Sequence, residues 1–459
     1  MRSTEVCVVG AGPAGSAAAI RLAQLGHRVL LVERGGPGRA PAAESLPPSA
    51  LPGLEQLGVR AAVEAAGFLR PRGSLVEWDG AAREVDGGGA AGFQVERARL
   101  DELLREAAMA AGAGLRRPAA VRSIEHDAGA WRLRLADGET LEAQAVVDAR
   151  GRRAGAALRP PTAALCAEWQ GANACAGHGR VQALREAWVW AAPLPDGRCS
   201  VAVFADAARM AALGGPGRAA FYDEAVARAG LLDPVLRHAR RGPLRVRDAS
   251  ARRHPTPADE RGLLRVGEAA CALDPLSSQG LACALRQGVQ AAACLHTALV
   301  RPADAAWAWT FHRDQVLRAS RRHEALAAGF YRAAAARFDE AFWVARAGPA
   351  DDAAVPPPPP PRSWPALDAR LCIAPLARWQ LEPVLDGDWV RPSPALVHPG
   401  LDAPFAFWCG RPARDWLQPL DATPPLPALL ERWRALCGEA LAGSLWQHLW
   451  RQGLIVSAG

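Results

Sequence analysis

Three glycines at the spacing G-x-G-x-x-G, Gly10, Gly12 and Gly15, stand between the apolar run EVCVV and the alanine-rich run SAAAIRLAQ. Their chemistry comes from the side chains they lack. Gly10 permits a sharp turn, Gly12 lets a pyrophosphate approach the backbone, and Gly15 lets the following helix lie close on the strand. The first turn of that helix offers unpaired N–H groups and the positive end of its dipole to phosphates. Glu33-Arg34 closes the next apolar run, about 20 residues on, where a carboxylate can accept hydrogen bonds from a ribose diol. Strand, turn, helix and strand over residues 5–34 therefore predict a bound dinucleotide.

A second segment, ERGLLRVGEAACALDPLSSQGLACALRQGVQAA, bears on which dinucleotide. It reads as a strand, a turn at Gly267-Glu268, a loop marked by Asp274-Pro275, and a long helix opening at Gln279-Gly280-Leu281. Glu268 can bond a ribityl hydroxyl. The helix start can aim N–H groups at a flavin pyrimidine ring, where negative charge gathers on reduction. A nicotinamide enzyme has no use for this segment, so the expected cofactor is FAD. A third stretch, WVWAAP, places Trp188 and Trp190 on one face of a strand and Val189 on the other. Paired indoles there either fill a core or line an aromatic cavity, and the expectation is that Trp188 and Trp190 line the substrate site.

The elements that must position these residues follow from the whole chain. Its 459 residues allow two or three domains with a well-buried core. The formal charge is +7, yet all 54 basic residues are arginine and lysine is absent. With heavy Ala, Gly and Pro usage this reflects codon bias. The arginines are scattered without an aromatic-interleaved stripe, so nucleic acid is not an expected partner. The 10 cysteines show no C-x-x-C pair and no zinc-like spacing with histidine. No metal is expected, and the thiols read as buried and reduced, in a cytoplasmic protein. The first strand begins within a few residues of Met1, so no signal peptide is expected, and no apolar run reaches the roughly 18 residues of a membrane span.

Residues 1–34 and 262–295, with VERARLDELL (95–104) and VVDARGRRA (146–154), resemble the FAD-binding fold of flavoprotein monooxygenases, shared with flavin-dependent halogenases and prenyl reductases. The resemblance implies that Arg97, with Asp101 closing its motif, contacts the flavin nucleotide. It also maps a D-A-x-G-R element onto Asp148, Ala149, Gly151 and Arg152, with Arg150 where threonine is commoner. Glu268 replaces the usual Asp, and Cys271 stands where hydroxylases of this fold often have His. AESLPPSAL (43–51) and WVWAAP resemble segments of the halogenase-like branch, with Ala43 for Gly and Ala192 for Ile. Halogenases of this kind carry a lysine that holds the halogenating species; arginine, always protonated, is a poor substitute. The resemblance therefore implies oxygen chemistry, in which reduced flavin and dioxygen form a C4a-hydroperoxide that hydroxylates electron-rich rings. No catalytic base is singled out.

The fold class expected is mixed α/β: a Rossmann-type FAD-binding domain of the glutathione-reductase/hydroxylase type, an inserted β-sheet substrate domain and a small, mainly helical C-terminal domain. Residues 1–165 would form the first part of the FAD-binding domain, with strands near 70–98 joining the substrate sheet. Residues 166–249 would form that sheet, and 250–350 the second FAD-binding part and helices. The proline run of 351–362 reads as a stiff spacer. Beyond it, 363–459 hold eight of the 16 tryptophans, read as a tryptophan-cored cap or a docking module.

That extension, with DPLSSQG and WVWAAPLPDG, is similar to flavoproteins that mature tryptophylquinone cofactors in quinohemoprotein amine dehydrogenase biogenesis. The likeness implies an indole substrate held within a partner polypeptide. No second strand–G-x-G-x-x-G–helix unit exists, so NAD(P)H or a reductase would dock transiently, with O2 as co-substrate. Two alternatives stay open: a hydroxylase or prenyl-type reductase of a small metabolite, and a flavoprotein chaperone that holds a maturing subunit without turnover.

Overall fold

A computed structural model describes residues 2–35, 43–86, 92–152, 155–173, 177–348 and 363–458. Contacts divide the chain into two units, Met1–Pro349 and Ala350–Gly459. The proline run lies outside the described residues.

The first unit is built on an eight-stranded sheet with five parallel strands at its centre and three antiparallel ones, Val121–Asp127, Ala130–Leu135 and Ala258–Asp259, at its margins. β1 (Arg2–Val9) passes through the glycine turn into α1 (Pro13–Gln24), and β2 (Val29–Val32) returns beside it. After α2 (Arg97–Ala110), the strands β3 (Gly114–Arg116), β4 (Thr140–Asp148) and β5 (Leu263–Arg265) complete the order β3-β2-β1-β4-β5. Both faces are covered, which explains why β1 and β2 are apolar runs without alternation. Successive strands step outward on either side of β1, so the crevice of such a fold opens at its carboxyl end. Register sets Val32, Val9, Asp148 and Arg265 side by side. Glu33, Gly10, Ala149 and Val266 therefore leave the sheet along one edge.

Helix α1 is alanine-rich because α3 (Gly280–Val300) crosses it at backbone distance. A Cβ on Gly288 would lie 2.3 Å from the Ala14 carbonyl oxygen and 2.8 Å from Ala17 Cβ.

A second, eight-stranded sheet runs Arg240–Arg241, Thr162–Gln170, Arg198–Asp206, Ala187–Leu194, His178–Ala183, Gly73–Glu77 and Ala82–Asp86, with Arg245–Asp248 also on Thr162–Gln170. Alternation sends Val189, Val201 and Val203 to one face, under Met210, Tyr222 and Val226 of the helices Ala207–Ala212 and Gly214–Arg228. Trp188, Ala202 and Phe204 go to the other, under α4 (Ala305–Ala335) and α5 (Ala341–Ala347).

The second unit has a core of its own, in which Trp416, Trp433, Trp446 and Trp450 gather with Leu429, Leu445 and Leu449. The Nε1–H of Trp433 donates to the Trp416 carbonyl (2.8 Å) and that of Trp416 to the Trp408 carbonyl (3.1 Å), which satisfies the polar tips of these buried indoles. Helices Leu426–Cys437 and Glu439–Arg451 supply most of the helical part of this unit. Beside these helices the unit holds a hairpin of Arg378–Asp386 and Trp389–Val397. Pro383, Pro392 and Pro394 disguise it, and are tolerated because each strand of a lone hairpin keeps an open edge.

Candidate functional site

The glycine turn is as tight as its spacing requires. Gly10 has φ +103° and a Cβ there would lie 2.4 Å from the Ala149 carbonyl oxygen; one on Gly15 would lie 1.9 Å from the Gly10 carbonyl oxygen. Gly12, the N-cap of α1, faces nothing within 4 Å. Two glycines are thus locked in packing, and the third opens the end of a 12-residue helix to a ligand. Beside it, Glu33 Oε2 accepts the Ala11 N–H at 2.7 Å, which fixes the carboxylate at the end of β2. Arg34, next along, is exposed.

The neighbouring strand ends bring the second set of residues to the same edge. Arg150 folds back to clamp Asp148 through Nε and Nη2, each at 2.8 Å. Arg152 Nε donates to Glu268 Oε1 at 2.8 Å and its Nη1 to the Ser250 carbonyl. Gly267 has φ +59° and lies so close to α1 that a Cβ would come 2.8 Å from Ala14 Cβ. Its N–H donates to Gln287 Oε1 at 2.7 Å, so α3 holds the turn that presents Glu268.

The loop after β5 is shaped by Asp274, whose carboxylate accepts the Leu276 N–H (3.0 Å) and the Tyr331 hydroxyl (3.0 Å). Burial pushes the Asp274 carboxyl up from its ordinary value, against those two donors and the nearby Arg159 and Arg346. Pro275–Ser277 make a short 3-10 turn, Ser278 takes a left-handed conformation, and Gln279 caps α3. Gly280 faces nothing within 4 Å, while Leu281 is buried. Open N–H groups thus begin α3 as they begin α1.

The segment from Glu44 to Ala50 ties these parts together. Arg97, buried at the start of α2, donates from Nη1 to Glu44 Oε1 (2.6 Å) and from Nε and Nη2 to Asp101 Oδ1 (3.3 Å each). Burial opposes its charge, but Glu44 and Asp101 outweigh that and hold the guanidinium protonated. Ser49 Oγ donates to Gln279 Oε1 at 3.1 Å. Sequence reasoning does not single out Glu44, Gln287 or Gly288. Only Gly288 leaves a signal, an isolated glycine inside a helical pattern, which costs about 1 kcal/mol unless packing demands it.

The two indoles of WVWAAP point the same way but are not equivalent. Trp188 is 2% exposed, stacked on Phe204 with centroids 3.8 Å apart and edge-on to Trp78 at 6.2 Å. It is core, which corrects the expectation that both line a cavity. Trp190 is only partly buried, against the same cluster and against Ala43, Ala192 and Leu194. Leu276 of the Asp274 loop packs on that cluster too.

Burial lifts the Cys271 thiol to about 12, so it is an inert apolar neighbour at the position where the resemblance would place a histidine. Among the histidines, His312 is buried with Nε2 on the Arg265 carbonyl (2.9 Å) and pushed down to about 4. His323 is likewise pushed to about 4 by burial, with Arg322 and Arg286 adding to it. Among the described residues there is no cluster that could hold a metal ion and no helix long and apolar enough to cross a membrane.

The locked turn, the open glycines at two helix starts and the carboxylates at Glu33 and Glu268 suit a flavin dinucleotide. Residues 3–174 match the model of an FAD binding domain. The chain is 30% identical over 375 residues to a tryptophan 2-halogenase of Chondromyces crocatus, which spans 75% of this chain and 70% of that one. Its fold is similar to that of QhpG, a peptidyl tryptophan dihydroxylase essential for tryptophylquinone cofactor biogenesis, with TM-score 0.70, 30% identity and coverage of 98% and 100% of the two chains. The flavin-dependent halogenase CmlS shares the fold at TM-score 0.83 and 21% identity, covering 100% of this chain and 96% of its own.

Proposed function

The chain belongs to the family of FAD-dependent monooxygenases and halogenases, and from that premise we propose that it hydroxylates the indole of a tryptophan held within a partner polypeptide, on the way to a quinone cofactor. The observation that carries this reading is the end-to-end likeness, at 30% identity, to a dihydroxylase of peptidyl tryptophan. The halogenase relative acts on tryptophan as well, so an indole is the substrate common to both.

In this reading Gly10, Gly12 and the start of α1 hold the pyrophosphate, and Glu33 exchanges its Ala11 bond for a ribose hydroxyl. Arg97 stands by the nucleotide, oriented by Glu44 and Asp101. Asp148 and Glu268 flank the ribityl chain, with Glu268 steered by Arg152. Gln279, Gly280 and Leu281 aim the positive end of α3 at the pyrimidine edge of the ring. Bound and reduced, FAD supplies the activation of dioxygen. The protein contributes orientation and exclusion of water, and the exposed face of Trp190 supplies an aromatic surface for the incoming indole.

Oxygen transfer is favoured over halogenation because the chain has no lysine. Its arginines stay protonated and cannot capture a halogen as an amine does. NAD(P)H or a reductase is the proposed electron donor, docking transiently. The test is to load the protein with FAD, reduce it without air, and readmit oxygen in the presence of a tryptophan-bearing polypeptide or of free tryptophan. Mass spectrometry should find oxygen added to the polypeptide. Oxygen on free tryptophan alone would overturn the protein-substrate reading, and chlorination in the presence of chloride would overturn the choice of oxygenation.

A further inference from the structure

We propose that Tyr331 is a positioning residue of the flavin site: its hydroxyl holds the Asp274 carboxylate that shapes the turn opening α3. The role rests on the flavin reading above. Tyr331 is one of only two tyrosines in the chain, is fully buried on α4, and lies far from the glycine motifs in sequence. Its hydroxyl donates to Asp274 Oδ2 at 3.0 Å, while Oδ1 of the same carboxylate accepts the Leu276 N–H at 3.0 Å. One carboxylate thus joins a helix side chain to the backbone of the turn that delivers Ser278, Gln279 and Gly280.

The Tyr331 ring makes a second connection. It meets Phe342 edge-on at 6.4 Å and Trp343 at 6.0 Å, within the cluster that includes Trp188, Phe204 and, at its margin, Trp190 and Leu276. The aromatic wall and the loop proposed to face the flavin therefore share one phenol. A ring without a hydroxyl fills the same space and leaves Asp274 a buried carboxylate with one donor fewer.

The groups facing Asp274 decide how it titrates. Arg159 and Arg346 lie near enough to favour its charge, and the small cavity behind it is lined by Cys271, Ser320, His323 and Glu324 as well. Burial already raises the Asp274 carboxyl, and the hydroxyl of Tyr331 is among the contacts that restrain it. Removing that hydroxyl raises it further, and protonation would loosen the turn.

Tyr331→Phe, Asp274→Asn and the double variant should each be loaded with FAD and their flavin absorption spectra recorded from acid to neutral pH. The wild type is expected to shift its bands only toward the acid end of the range, where Asp274 takes up its proton. Tyr331→Phe should move that shift to higher pH, and Asp274→Asn, alone or in the double variant, should abolish it because the titrating carboxyl is gone. If the Tyr331→Phe holoprotein matches wild type at every pH and differs only in melting temperature, Tyr331 is core filler and the proposal falls. If wild type takes up no FAD, the flavin reading falls and this role with it.

Discussion

Replacing Gly288 by alanine should separate packing from helix propensity, because Gly329 provides a matched control. Both lie inside long helices, and in isolation either substitution should help: glycine in a helix interior costs about 0.5–1 kcal/mol relative to alanine. A Cβ on Gly329 meets nothing within 4 Å, so Gly329→Ala should gain that amount. On Gly288 the Cβ would sit 2.3 Å from the Ala14 carbonyl oxygen, 2.8 Å from Ala17 Cβ and 3.0 Å from the Ala18 nitrogen. Two of those three atoms are backbone and cannot swing aside, so α1 and α3 must separate by about an ångström. Overpacking of this kind costs roughly 1–3 kcal/mol; the propensity gain is common to both variants, so they should differ by roughly that cost, with Gly288→Ala the less stable. Urea unfolding followed by tryptophan fluorescence reads the difference. FAD titration should show weaker binding for Gly288→Ala, since Ala14 lies two residues beyond Gly12. Equal stabilisation of both variants would refute the close approach of the two helices.

Three further outcomes are expected. His312, pushed down to about 4 from an ordinary 6.5 by burial, takes up its proton in the unfolded chain first; the stability it preserves is complete above pH 6.5 and is lost as pH falls toward 4, by up to roughly 3 kcal/mol. A His312→Gln variant should flatten that part of the stability–pH curve, and an unchanged slope would count against its burial. Arg97→Met should cost about 3 kcal/mol, because it leaves the buried Asp101 carboxylate against an apolar side chain; soluble yield and unfolding midpoint report it. Trp188→Ala should destabilise by about 3–5 kcal/mol, whereas Trp190→Ala should leave folding nearly intact and lower turnover of the tryptophan polypeptide, a contrast that fails if both act alike on stability.

The features legible in the sequence are those whose partners lie close along the chain. The glycine turn, the carboxylate ending β2 and the strand–loop–helix of 262–295 each declare themselves within about thirty residues. The alternation that puts Trp188 and Trp190 on one face is equally local. The difference between them is not: Phe204 from the neighbouring strand and Trp78 from the bend after Gly73–Glu77 bury one indole and leave the other partly open. The Glu44–Arg97 pair and the Tyr331–Asp274 bond span 53 and 57 residues, and no spacing rule announces such contacts. Gln287 sits among other polar residues of the helix, beside Arg286 and near Gln290, and its purpose emerges only where the chain leaving β5 ends against it.

Helix α3 carries two fittings on one rod: its first residues face the open end near Gly280, and two turns later Gln287 and Gly288 seat on Gly267 and α1. An α-helix advances about 100° per residue, so a single inserted or deleted residue between them would swing the second fitting a quarter-turn away from its seat. That interval is a fixed gauge. Variants of different length can arise by lengthening loops elsewhere, but the distance from Gly280 to Gly288 has one workable value.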